Sequence, residues 1–275
     1  MLPQCLRASE TGLEFLNALT RTRLLTGVPA LDALERSRGA PGLRTGDLVE
    51  LHGGRAGGSG GGNRQAALRK ATATFALPRD CAGHESTVLY FTMDGTFDVA
   101  PLRRDMMRHV TSFRHRARLQ QRQNHRHEQR QKNNEQDDQA VVESSLRRVI
   151  VLTCTDAMDA QFALLYAESL LKTPALNIKL LVFDNIAANF FEHRAAAIAA
   201  AHTRGGGHAP ALAKHRQSWV TSFGSKFARK LDQLRRVHRV IILTFTPTYF
   251  DPSSSSATHL LGSRWDSLRK HRIKV

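Results

Sequence analysis

Five short runs of uninterrupted apolar residues constrain this chain more than any other feature. They are GDLVELHG (46–53), STVLYFT (86–92), RRVIVLTC (147–154), IKLLVFD (178–184) and RVIILTFT (239–246). A strand with one wet face alternates polar and apolar residues; strands that do not alternate are covered on both faces, as in a parallel sheet. Helical patterns fill the intervals. In DVAPLRRDMMRHVTSF (98–113) the positions Val99, Leu102, Met106, Val110 and Phe113 step by 3, 4, 4 and 3. AMDAQFALLYAESLLK (157–172) follows Thr155 and Asp156, both suited to cap a helix. Strands alternating with helices predict a parallel α/β sheet joined by right-handed crossovers.

The 275 residues are enough for one sizeable core or two small ones. No apolar run approaches the roughly 20 residues of a membrane span, so no membrane partner is expected. MLPQCLRASETGLEFL has neither the basic start nor the apolar middle of a signal peptide, which leaves the cytosol or the nucleus. Cys5, Cys81 and Cys154 are odd in number and widely spaced, and read as free thiols rather than a disulfide framework. Many of the 13 histidines sit in Arg-rich stretches such as RQNHRHEQR (122–130), without framed ligand pairs, so no metal site is expected. A net charge of +16 favours polyanions through counterion release, unless basic insertions dominate the count.

Two stretches depart from the strand–helix texture. Residues 114–139 are rich in Gln and Arg, with few apolar members, and are expected to be a disordered insertion or a long solvated helix. They carry seven Lys/Arg and four Asp/Glu, a net 7 − 4 = +3, so the core is expected to hold most of any DNA affinity. Residues 195–217 begin as an Ala-rich helix and dissolve at Gly205–Gly207 and Pro210, which reads as a second flexible insertion. Loop-closure entropy grows slowly with length, so one fold tolerates both.

LHGGRAGGSGGGNRQAALRKA (51–71) follows the first strand with a glycine-rich turn and a helix-forming run. Such a turn holds phosphate through backbone N–H groups and a helix N-terminus. A linker between strand and helix is the other reading. The lead-in to this turn is more specific, with Thr26, Gly27, Leu31, Asp32, Leu34, Gly42, Gly46, Glu50 and Gly53 in order. It resembles the T-G-x-x-x-L-D-x-L…G-x-x-x-G-x-x-x-E-x-x-G lead-in of the RecA/Rad-fifty-one recombinases. Within that family the chain is most similar to the short XRCC-two-type paralogues. RASETGLEFLNAL (7–19), VLYFTMDGTFD (88–98), LLVFDNIAANFFEHR (180–194) and RWDSLRKHR (264–272) look like their landmarks, so the likeness spans most of the chain outside the two insertions.

The resemblance implies a RecA-like P-loop core over 46–275, preceded by an N-terminal segment and lead-in over 1–45. It also implies a site for ATP and Mg²⁺. Two registers fit the loop to G-x-x-x-x-G-K-[ST]. Counting from Gly53, Gly58 is the second glycine, Ser59 stands for the lysine and Gly60 for the hydroxyl. Counting back from Pro78, Arg64 and Gln65 take those two places. Arg64 lacks the compact geometry of lysine, and Gln65 is a poor metal ligand. Asp184, ending KLLVF, matches the Walker B carboxylate that reaches Mg²⁺ through its water shell. Asp94 is either nucleotide-proximal or an ordinary cap. Pro247 stands where the resemblance leads one to expect a polar γ-phosphate sensor, and proline has neither N–H nor amide.

With lysine and sensor both missing, the expectation is a pseudo-ATPase. RWDSLRKHRIK is a solvated helix with Trp265 and Leu268 packed inward, or a nucleic-acid face with Trp265 free to stack. Ser253–Ser256 falls where the family places DNA-facing loops. The chain stops soon after that basic stretch, so final edge strands are not expected. Leu13, Phe15, Leu16 and Leu19 share one helical face, which docks on its own domain or, through Phe15 and Leu16, on a partner subunit. By resemblance the protein is a nuclear accessory subunit of a recombinase-paralogue complex that repairs DNA breaks. The rivals are a DNA-dependent ATPase with an atypical Walker A loop and a general basic nucleic-acid-binding protein on a RecA-like scaffold.

Overall fold

A computed structural model describes residues 22–34, 41–53, 61–122, 131–186, 188, 209–247 and 271–274. The elements are β1 (Arg23–Leu24), α1 (Pro29–Asp32), β2 (Leu43–Arg44), β3 (Leu48–Gly53), α2 (Gly61–Ala76), β4 (Thr87–Thr92), α3 (Val99–Arg122) and α4 (Gln131–Leu146). They continue with β5 (Val149–Thr153), α5 (Ala157–Leu171), β6 (Ile178–Asp184), α6 (Ala209–His238), β7 (Ile241–Pro247) and β8 (His271–Lys274).

The five apolar runs form one parallel sheet in the order β5-β4-β6-β7-β3, extended beyond β3 by short β8, also parallel. Side chains leave it on two sides. Val49, Leu51, Val88, Tyr90, Leu180, Val182, Ile241 and Leu243 meet α2, α3 and α4. Leu48, Leu89, Phe91, Leu181, Phe183 and Ile242 meet α5 and α6. Both faces are dry, which is why the strands read as unbroken apolar runs. On the second face Phe91 stacks on Phe183 with ring centroids 4.2 Å apart, and Phe227 of α6 meets Phe183 edge-on.

The lead-in belongs to the same body. Val28, Leu31 and Leu43 are buried with Phe75 and Leu77. Thr26 donates from its backbone N and its hydroxyl to Asp32 Oδ1, at 2.6 and 2.8 Å, closing the turn into α1. Gly27 (φ +73°) and Gly42 (φ +97°) hold left-handed backbone, and a Cβ on Gly42 would lie 2.7 Å from the Leu24 carbonyl oxygen. The spaced residues of the lead-in therefore have local structural work, independent of any ligand.

Three expectations are corrected. Residues 114–122 and 131–139 are helical, as the ends of α3 and α4, rather than disordered. α4 returns along α3, with Arg103 on Glu143 at 2.9 Å and both Arg114 and Thr111 on Asp138. Opposite charges and good helix formers sustain a helical pair with little apolar burial. Residues 209–217 belong to α6 rather than to a flexible segment. An edge strand does follow β3: residues 271–274, read as the end of a basic helix, pair with it as β8.

Candidate functional site

In a parallel sheet all strands deliver their C-terminal ends to one edge, where α/β proteins bind ligands. That edge gathers Gly53, Thr92, Asp184 and Pro247, with Gly53 opposite Pro247 and Thr92 opposite Asp184 in register. β7 lies between the strands of Gly53 and Asp184. Those two residues are thus separated laterally by two strand spacings, about 10 Å. The glycine residues Gly58 and Gly60, with Ser59, lie outside the described residues. So do Phe15, Leu16, Ser253–Ser256, Trp265 and Leu268. α2 begins at Gly61, which puts Arg64 in its first turn and exposed Gln65 one position later.

Asp184 is buried at the tip of β6, where its Oδ2 accepts the Tyr90 hydroxyl at 2.8 Å. Burial, then the charge of Asp184, pushes the Tyr90 phenol far above its ordinary value, so it remains a donor at any physiological pH. Asp94, at the surface just beyond β4, is saturated locally. Its Oδ1 accepts Thr96 N at 3.1 Å and the Thr96 hydroxyl at 2.6 Å, while Oδ2 accepts Asn185 Nδ2 at 2.9 Å. Burial pulls its pKa upward, but the hydrogen bonds from Thr96, Asn185 and Thr92 together hold the carboxyl below the usual range. Asn185 sits at φ +57°, a left-handed conformation that Asn tolerates better than most residues, and this aims its amide across to Asp94.

The structure thus brings Asp94 and Asp184 to neighbouring strand ends and joins them through Asn185, the residue after Asp184. Tyr90 and Asn185 are the site residues that sequence reasoning missed. The available signal for Tyr90 was a tyrosine in the middle of a buried strand, TVLYFT, next in the sheet to the strand that ends in Asp184. For Asn185 it was an Asn directly after a strand-ending Asp.

Cys81 and Cys154 are buried free thiols. Burial, with Asp159 and Asp156 nearby, pushes the Cys154 thiol up to about 11, and burial likewise raises that of Cys81. Neither is poised as a nucleophile. Among the described residues no group of three or more His, Cys, Asp or Glu could hold a metal ion, and no helix is long and apolar enough to cross a membrane. The sequence matches no family model, and it matches no curated protein.

Proposed function

We propose that this protein is an accessory subunit of the RecA/Rad-fifty-one recombinase type, nearest in kind to the XRCC-two-type paralogues. It acts in the nucleus, on DNA, within a complex of related subunits that repairs breaks by homologous recombination. The observation that carries the reading is the outward face of α5. Met158, Phe162, Leu165 and Tyr166 are 50–62% exposed on this helix, although its opposite face is already buried. β5, beside it, ends the sheet, with no strand on its outer side among the described residues. A helix that shows apolar residues on its outer face as well as its inner one suits cover from both sides, and an open sheet edge is a template for another chain.

The strand ends support a weak or absent nucleotide chemistry. Asp184 engages Tyr90, Asp94 is saturated by its neighbours, and neither loop register supplies a Ser/Thr hydroxyl beside a lysine. These residues do not fit a Mg²⁺ site of the P-loop kind, which uses that hydroxyl together with an aspartate. A pseudo-ATPase follows. The second reading, a DNA-dependent ATPase, rests on Arg64 falling in the first turn of α2, near where a phosphate-binding lysine would stand.

The deciding experiment is affinity purification of the full chain from dividing cells, beside a Phe162→Asp/Tyr166→Asp variant. Related recombinase paralogues should accompany the wild type and be absent from the variant, with an unchanged Tm. Their absence from the wild type would defeat the reading. DNA-stimulated ATP turnover well above an Asp184→Ala control would install the rival.

A further inference from the structure

Five of the seven arginines of α3 fall into two sets. Arg103 and Arg114 turn toward α4 and pair with Glu143 and Asp138. Arg104, Arg108 and Arg116 turn the other way, to solvent, with His115 exposed between them. Arg108 is 76% exposed, and its one carboxylate neighbour among the described residues is Asp105 of its own helix, at 3.5 Å. Asp105 is meanwhile held by Arg69 of α2 at 2.9 Å. Arg116 donates to the Ser112 carbonyl at 3.3 Å, and Arg104 has no ion-pair partner among the described residues.

The charge of α3 and α4 is therefore segregated. The α4 carboxylates that reach α3 neutralise its inner arginines and leave its outer ones bare. From Arg104 to Arg116 the face runs about 18 Å at 1.5 Å per residue. Phosphates of one strand of a duplex recur about every 3.4 Å along its axis, so the face is long enough to meet more than one in succession.

We propose that the outward face of α3, through Arg104, Arg108 and Arg116, is where the sugar–phosphate backbone of a nucleic acid lies. The proposal rests on the reading of the protein as DNA-bound, and it assigns a site to that contact. α3 leads away from the strand ends for about 36 Å, against about 20 Å for a six-residue strand, so the face extends beyond the sheet on the side remote from Asp184. The contact reads charge and spacing rather than base sequence.

The test is fluorescence anisotropy of the full chain with labelled oligothymidylate of about 30 nucleotides, without ATP, across a salt series. Each lost contact to a single strand lowers the salt slope by about 0.7, so Arg104→Gln/Arg108→Gln/Arg116→Gln should bind at least about tenfold more weakly, with a slope smaller by about two. Lys226→Gln/Arg229→Gln, two exposed cations on α6, should stay within about twofold of the wild type. Gln keeps the helix, and an unchanged Tm excludes a folding effect. Retained affinity in the α3 variant, or equal loss in the α6 control, would overturn the assignment while leaving the DNA-bound reading intact. A wild type that does not bind at all would overturn both. If polyglutamate displaces the label more readily than unlabelled oligothymidylate does, the face belongs to an acidic protein and the proposal fails.

Discussion

α3 packs on one face of the sheet through Leu102, Met106 and Val110, and α5 packs on the other through Ala157, Ala160, Leu164 and Ala167. Their inner halves solve the same problem, covering unbroken apolar strands. Their outer halves differ in kind. α3 turns Arg104, Arg108 and Arg116 to solvent, whereas α5 turns out Met158, Phe162, Leu165 and Tyr166. Burial among the described residues explains neither outer half. A bare cationic row suits a polyanion, and an apolar arc beside an open strand edge suits another protein. The two outer halves lie on opposite faces of one sheet, so the two proposed contacts do not compete for one surface.

The largest expected effects test whether the inner halves are equivalent. Phe183→Ala, on the α5 face, removes a ring stacked on Phe91 and should lower stability by about 3–5 kcal/mol. Met106→Ala, on the α3 face, should lower it by about 2–5 kcal/mol. Urea unfolding at unchanged m reads both. A loss below about 1 kcal/mol on one side only would mean that its helices are not firmly docked, and would break the symmetry of the comparison.

Helix entry gives the next effect. Asp98 Oδ1 accepts Ala100 N at 2.9 Å at the start of α3, and Asp156 Oδ1 accepts Asp159 N at 2.8 Å at the start of α5. Each satisfies an amide that the first turn leaves open, so Asp98→Ala and Asp156→Ala should each lower stability by about 1 kcal/mol in the same unfolding assay. A much larger loss at one of them would show that its helix start also carries tertiary contacts.

The sheet was legible because its physics is one-dimensional. A strand buried on both faces must be apolar throughout, and IKLLVFD accordingly coincides with β6 at Ile178–Asp184. The phase of Leu102, Met106 and Val110 and the capping role of Asp156 were legible for the same local reason. What escaped depends on pairing across distance. The Arg114–Asp138 contact that steadies the α3–α4 pair spans 24 residues, and the Tyr90–Asp184 hydrogen bond spans 94. β8 escaped because four residues with two cations and a histidine read as a solvated helix end, and only the open flank of β3 gives them a partner. The loop residues Gly58, Ser59, Gly60 and the apolar pair Phe15 and Leu16 lie outside the described residues, so their roles rest on the resemblance.

Replacing the exposed rings of α5 sharpens the comparison from outside. Phe162→Ser/Tyr166→Ser touches no buried contact of the isolated chain, so stability should change by no more than about 0.5 kcal/mol per site. Binding of an apolar dye should fall, and the concentration at which the protein self-associates should rise. The α3 variant Arg104→Gln/Arg108→Gln/Arg116→Gln should leave dye binding alone. If both variants change it equally, the two outer faces are not chemically distinct in solution.

The smallest expected effect is a difference in acid response between the two helix entries. Asp94, ahead of α3, is held below its ordinary pKa against the upward pull of burial, by hydrogen bonds from Thr96, Asn185 and Thr92. Asp159, in the first turn of α5, is held low by the Thr155 hydroxyl and backbone N–H, against a slight upward pull from burial. Both folded values lie below the unfolded value of 3.8. The folded state therefore binds these protons less readily than the unfolded chain does. The stability they contribute is fully present above about pH 4 and is lost as pH falls through the depressed folded values. Asp94→Ala and Asp159→Ala should each flatten part of the acid limb of the Tm–pH curve and leave its neutral plateau shape unchanged. Thr155→Val removes the hydroxyl donor of Asp159 and keeps the backbone N–H, so it should reproduce only part of the loss of its share. Thr96→Val should reproduce only part of the Asp94 effect, because Asn185 still donates to Oδ2. Carboxyl chemical shifts followed from pH 6 to pH 2 read the two groups separately. A midpoint for either at or above 3.8 would show that its hydrogen bonds do not persist in solution.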